Sequence, residues 1–138
     1  MNQDFYNASG CADPTAYEAI KNVSKKDRVP FMPLIYICSP YSGDILKNRE
    51  KAACYAQFVY ESGCIPVTPH LLFHFLSDDD PWERKVALHM DIVLMGKCQE
   101  VWVFGNKISA GMEKEIALAE KRRQTVRYFT DDFMEVRA

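Results

Sequence analysis

The chain lacks several features that would place it quickly. No stretch comes near the ~18 consecutive apolar residues of a membrane-spanning helix, and no basic start leads into a short apolar core as in a secretory leader. Neither export nor membrane insertion is expected. There is no excess of positive charge: 17 Lys and Arg face 19 Asp and Glu. Sequence-independent nucleic-acid binding, which needs a basic footprint, is therefore not expected. Cys11, Cys38, Cys54, Cys64 and Cys98 are odd in number, widely spaced and free of any C-x-x-C pair. That excludes a disulfide framework and a zinc knuckle and suits a reducing cytoplasm. Cys38 and Cys64 fall in predicted strands, Cys54 and Cys98 in predicted helices, where a free cysteine normally serves as a small buried hydrophobe.

What is present is a chain of 138 residues, 48% hydrophobic, enough for one continuous core. Residues 1–33 are polar. Asp13-Pro14 marks a helix start, Ala16, Ala19, Ile20 and Val23 are spaced helically, and Lys25-Lys26-Asp27-Arg28 and two prolines follow. This reads as a helical extension and linker ahead of a domain spanning 34–138.

From Leu34 the pattern becomes regular. An apolar strand, Leu34 to Cys38, leads through the polar loop Ser39 to Asp44 into a helix from about Leu46 to Ser62, capped by Gly63. Pro66 in the next strand, Cys64 to Thr68, demotes it to a sheet edge, because proline cannot donate to the ladder. Asp80, Pro81 and Glu83 start a helix that runs to Lys97. Its stripe of Ala87, Met90, Leu94 and Cys98 includes Asp91, a carboxylate on a face expected to be buried. Strand Glu100 to Phe104, a helix from Ala110 to about Arg123 and strand Thr125 to Phe129 complete the order, with a short acidic tail.

Strands alternating with helices predict parallel βαβ units and a small α/β sandwich of three layers, flavodoxin-like or Rossmann-like, on a four- to five-stranded parallel sheet. In that order the chain reverses direction between the first and third strands, and ligands bind beyond the carboxyl ends at the switch point. Those ends carry the loops Ser39 to Asp44 and Gly105 to Ser109.

Ser39-Pro40-Tyr41-Ser42-Gly43-Asp44 has the hydroxyls, glycine and helix-start N–H groups of a phosphate or sugar cradle, and equally the make-up of an ordinary turn capped by Asp44. Ser109 and Gly111 open the later helix in the same way. Taking ~100° per residue, Met112, Ile116 and Ala119 define an apolar face with Glu115 nearer its edge than Glu113. Asp91, if buried, must be paired, hydrogen-bonded or functional. His70 and His74 are four apart but lack a third and fourth ligand, so no metal site is assigned, and His70 is taken as a substrate contact or surface residue. Trp82, Tyr55 and Tyr60 are read as packing residues.

Four segments together resemble the nucleoside 2-deoxyribosyltransferase superfamily. They are Tyr36-Ile37-Cys38-Ser39-Pro40-Tyr41 with Gly43, His89-Met90-Asp91, Glu100-Val101-Trp102-Val103-Phe104, and Ser109-x-Gly111-x-x-x-Glu115-Ile116-x-x-Ala119. The Ser-Pro-Tyr loop, the Pro-His-Leu segment and the Ser-x-Gly-Met-x-x-Glu helix start are most similar to an uncharacterised branch found in phages and bacteria. The resemblance covers about Leu34 to Phe129. It implies a nucleoside or nucleotide as substrate, Glu115 as a nucleophile toward the anomeric carbon, and Asp91 as the acid that positions or protonates. It also implies Ser39, Ser42 and Ser109 at a 5'-phosphate, with Pro40, Tyr41, Gly43, Asp44, His70, Gly111 and Met112 around the substrate. No metal or organic cofactor is needed, and a homo-oligomer is expected. Gln99 stands where many relatives have an aspartate, and Glu113 and Lys114 crowd the helix start. The rival expectation is a nucleotide-binding or sensing module of the same fold without turnover.

Overall fold

A computed structural model describes residues 27–41 and 43–137. The expected helix between Asp13 and Val23 lies outside the described residues, as do Cys11 and Ser42. The chain divides into two compact units, and the second, Met32–Ala138, carries the sheet and its helices.

The order is β1 (Leu34–Cys38), α1 (Ile45–Glu61), β2 (Ile65–Val67), α2 (Pro69–Leu72), α3 (Pro81–Lys97), β3 (Glu100–Phe104), α4 (Ala110–Lys121), β4 (Thr125–Phe129) and β5 (Glu135–Val136). The helix starts follow from their caps. Asp44 accepts from the Lys47 N–H, Asp80 from those of Trp82 and Glu83, and Ser109 from that of Met112. After α1, Gly63 takes φ +85°, the left-handed conformation that lets the chain turn into β2.

The sheet has the order β2-β1-β3-β4-β5. β1 pairs in parallel with both β2 and β3, and β3 in parallel with β4. Pro66 sits, as its chemistry demands, on the edge strand. β5 departs from the all-parallel expectation: it pairs antiparallel with β4. Only the turn 130–134 separates the two, too little chain for a parallel crossover. The Thr130 hydroxyl closes that turn by accepting from the N–H groups of Asp132 and Met134. Arg127 then clamps Glu135 through two hydrogen bonds, of 2.9 and 2.7 Å.

The central strands are buried on both faces, giving three layers. Ile35, Ile37, Trp102, Phe104 and Phe129 pack with Tyr55 and Val59 of α1. On the other face Tyr36, Cys38, Val101 and Val103 pack with Met95 of α3 and Met112, Ile116 and Ala119 of α4. Tyr55 is a packing residue as expected, stacked on Phe104 with ring centroids 4.6 Å apart. Tyr60, Trp82 and Cys54, expected to be packed, are instead exposed. All three lie on helices whose sheet-facing side is occupied by other residues. The stripe of α3 is only half-buried at Ala87, Met90 and Leu94, with Met95 its fully buried residue. Among the described residues no helix is long and apolar enough to cross a membrane.

Candidate functional site

Successive residues of a strand point to opposite faces, so Tyr36 and Cys38, two apart on β1, present their side chains to the α3/α4 layer. α4 brings Glu115 to meet them. The Tyr36 hydroxyl donates to Glu115 Oε2, and the Cys38 thiol lies 3.4 Å from Glu115 Oε1 as a second donor. Both carboxylate oxygens are thus engaged. Glu113, two residues earlier, is exposed. Burial raises the pKa of Glu115, while the bonds from Tyr36 and Cys38 oppose that shift by favouring the charged form. Burial, and then the charge of Glu115, push the phenol and the thiol far above their ordinary ranges, so both stay protonated and act as donors.

Asp91 approaches from α3. It is half-buried, its Oδ1 has no hydrogen-bond partner among the described residues, and its pKa is raised to about 7 by burial and then by the charge of Glu115. A carboxyl oxygen left without water or partner, within the field of a second carboxylate, is costly to keep, and such groups cluster where chemistry is done. A carboxyl that titrates near neutrality can carry a proton to or from a reacting atom. No bond from Arg84 or from a helix end compensates Asp91 Oδ1 among the described residues.

The two loops at the switch point meet. β1 and β3 run side by side with Cys38 opposite Val103, and a Cβ built on Gly105 would lie 3.9 Å from Pro40 Cδ and 3.8 Å from Asp131 Oδ1. Gly105, at φ +111°, supplies the turn that β3 needs before the loop. Buried Ser39 lies with its hydroxyl 3.4 Å from His70 Nδ1, and Tyr41 sets its ring against His70 with centroids 4.8 Å apart. Burial pushes the His70 pKa down to about 4, so the imidazole is neutral near pH 7. The Tyr41 carbonyl accepts from Asn48, Gly43 takes φ +97°, and Asp44 is spent capping α1.

At the other loop Ser109 caps α4 and Gly111 is exposed. Met112 is 1% exposed and fills the core, as its place on the apolar face of the helix predicts, so only its backbone could meet a substrate. His74 is exposed, its Nδ1 3.3 Å from the Leu71 carbonyl, and does not join His70. Gln99 lies away from the two carboxyls, exchanging bonds with the Leu34 backbone at the start of β1. Among the described residues no three His, Cys, Asp or Glu side chains form a group able to hold a metal ion. A shallow depression beside the site, at the carboxyl ends of β3 and β4, is lined by Gly105, Asn106, Ile108 and Tyr128, and neither Glu115 nor Asp91 borders it.

Tyr36 and Cys38 are what residue-by-residue reading missed as site residues. The available signal was their placement two apart on β1, immediately ahead of the Ser39 to Asp44 loop.

Among curated proteins, none matches this sequence. A solved structure of the 2-deoxyribosyltransferase from the psychrotolerant bacterium Bacillus psychrosaccharolyticus superposes with a TM-score of 0.60 at 14% identity, over 70% of this chain and 72% of that one. At that identity the likeness concerns the fold alone. A family model described as a domain of unknown function (DUF7768) matches residues 33–129.

Proposed function

The chain belongs to the DUF7768 family, and we propose that it cleaves the N-glycosidic bond of a nucleoside or nucleotide, with Glu115 as nucleophile and Asp91 as acid and base. The observation that supports this most is the pairing of two unlike carboxyls. Glu115 has both oxygens held by donors, whereas Asp91 Oδ1 is unpartnered among the described residues and the group has a pKa of about 7. Environments that push two carboxyls toward different tasks are how retaining glycosidases divide nucleophile from acid.

In the first step a Glu115 oxygen bonds to the anomeric carbon, the carbon–nitrogen bond breaks, and its electron pair leaves with the base. Protonated Asp91 supplies the proton that neutralises the departing base. In the second, water or another base attacks the same carbon, the carbon–oxygen bond to Glu115 breaks, and ionised Asp91 takes up the proton of the attacking group. No step calls for a metal or an organic cofactor. Ser39, Tyr41, Gly43 and His70 on one loop side and Ser109 and Gly111 on the other would hold the sugar and any 5'-phosphate through hydroxyls, N–H groups and a neutral imidazole. Among the described residues of these loops the cation is Lys107, which is exposed. The similar solved structure is that of a 2-deoxyribosyltransferase described as a suitable biocatalyst for the synthesis of nucleosides, which is in keeping with this substrate class.

The test is a panel of deoxynucleosides and their 5'-monophosphates, followed by chromatography for free base and by calorimetry. Base release that disappears in Glu115→Gln supports the reading, because an amide cannot serve as the nucleophile. Full base release by Glu115→Gln sinks it. Heat of binding without release would identify a nucleotide-binding module instead, and silence in both assays an interaction protein.

A further inference from the structure

The two donors on Glu115 differ in kind. A phenol O–H is a strong donor, a thiol S–H a weak one. Tyr36 takes Oε2 and Cys38 takes Oε1, and the sulfur has a second acceptor within reach, the Met112 carbonyl at 3.9 Å. Cys38 itself is 0% exposed, so it cannot touch a substrate. Whatever it does, it does through Glu115.

We propose that Cys38 is a positioning residue for the nucleophile: its thiol holds Glu115 Oε1 in the resting site and releases it toward the Met112 carbonyl as Oε1 bonds to the anomeric carbon. This rests on the reading of Glu115 as nucleophile. Oε2, kept by the stronger donor, stays in place and carries the carbonyl of the glycosyl ester. Nothing is transferred from sulfur, since the thiol proton remains on Cys38 throughout and exchanges one acceptor for another. The electron pair that forms the new bond comes from Oε1, and the pair of the broken bond leaves with the base. A weak donor suits this position. A strong one would stabilise the ground-state carboxylate and have to be broken at the transition state, where only interactions that persist or strengthen accelerate the step.

A buried thiol acting only as a space-filling hydrophobe makes different predictions for two variants. Cys38→Ser keeps the size and strengthens the donor, so kcat falls by about tenfold with KM unchanged and the acid limb of the pH profile moves to lower pH. Cys38→Ala removes the donor, so the acid limb moves to higher pH. Thermal unfolding of each variant confirms that it is folded at the assay temperature. Space filling alone alters stability and moves neither limb. If Glu115→Gln abolishes base release while the acid limbs of both folded Cys38 variants overlay that of the unmodified protein, the role of Cys38 is overturned and the functional reading stands. If the unmodified protein releases no base from any nucleotide, the functional reading falls and the role of Cys38 with it.

Discussion

Tyr36 and Glu115 are 79 residues apart in the chain and are joined by one hydrogen bond, from the phenol of a central strand to a carboxylate on a helix. That bond ties the proposed nucleophile to a buried central strand, where Tyr36 is 1% exposed.

Removing it should be felt twice. In Tyr36→Phe the Oε2 atom loses its donor, Glu115 becomes harder to ionise, and the acid limb of activity moves to higher pH. Activity at pH 6 is expected to fall about 10- to 100-fold, and folding at pH 8 to lose about 1–3 kcal/mol, the range for a buried charged group left without its partner. A pH–rate profile and denaturant unfolding measure the two effects. An unshifted acid limb would show that the bond does not tune the carboxylate.

Asp91 gives the opposite stability result. Its folded pKa of about 7 lies above the ordinary carboxylate value. The stability it contributes is therefore complete below pH 4 and is lost as pH rises toward 7. Asp91→Asn should then be more stable than the unmodified protein at pH 8, by about 1–2 kcal/mol after allowance for partial solvent screening, and no more stable at pH 4. The same variant should lose the basic limb of activity near pH 7 and slow the release of unactivated bases. Unfolding midpoints at the two pH values decide it; equal gains at both would remove ionisation as the cause.

His70 should stay neutral through the physiological range. With a pKa pushed down to about 4 by burial, it supports folding above its ordinary value of about 6.5, and that support is lost as pH falls toward 4. An imidazole resonance followed by NMR is expected to titrate near 4. A midpoint near 6.5 would mean that the ring is hydrated rather than packed between Ser39 and Tyr41.

Gly105 tests the loop junction. At φ +111° a β-branched side chain is strained, and Gly105→Val is expected to cost about 1–3 kcal/mol. Because the same residue sits against Pro40, the damage should also raise KM more than it lowers kcat. A variant with unchanged stability and KM would show that the junction is free to rearrange.

Much of this was legible in the residues because the elements announce themselves. Asp80-Pro81 fixes the start of α3, Ser109 that of α4, and Pro66 puts β2 at the edge. Angular position on the helix set Glu115 nearer the apolar face than Glu113, and the family resemblance then singled it out. The partners of Glu115 were harder to see. β1 is buried on both faces, so its sequence is a continuous apolar run with no alternation to mark which residues turn toward α4. Cys38 therefore read as a hydrophobe and Tyr36 as part of a motif. Trp82, Tyr60 and Cys54 misled for a related reason: composition reports that a residue is apolar, while the side of the helix it occupies decides whether it is covered. The hairpin to β5 was hidden because two paired residues are too few to show a period.

Both margins of the sheet are closed to newcomers. β2 is three residues long and carries Pro66 in its ladder, and β5 is two residues long and runs against the rest. Strand-on-strand growth, the usual route by which an open sheet recruits another chain, has almost nothing to extend from at either end. High concentrations of the folded domain should therefore resist fibril formation by strand addition at either edge.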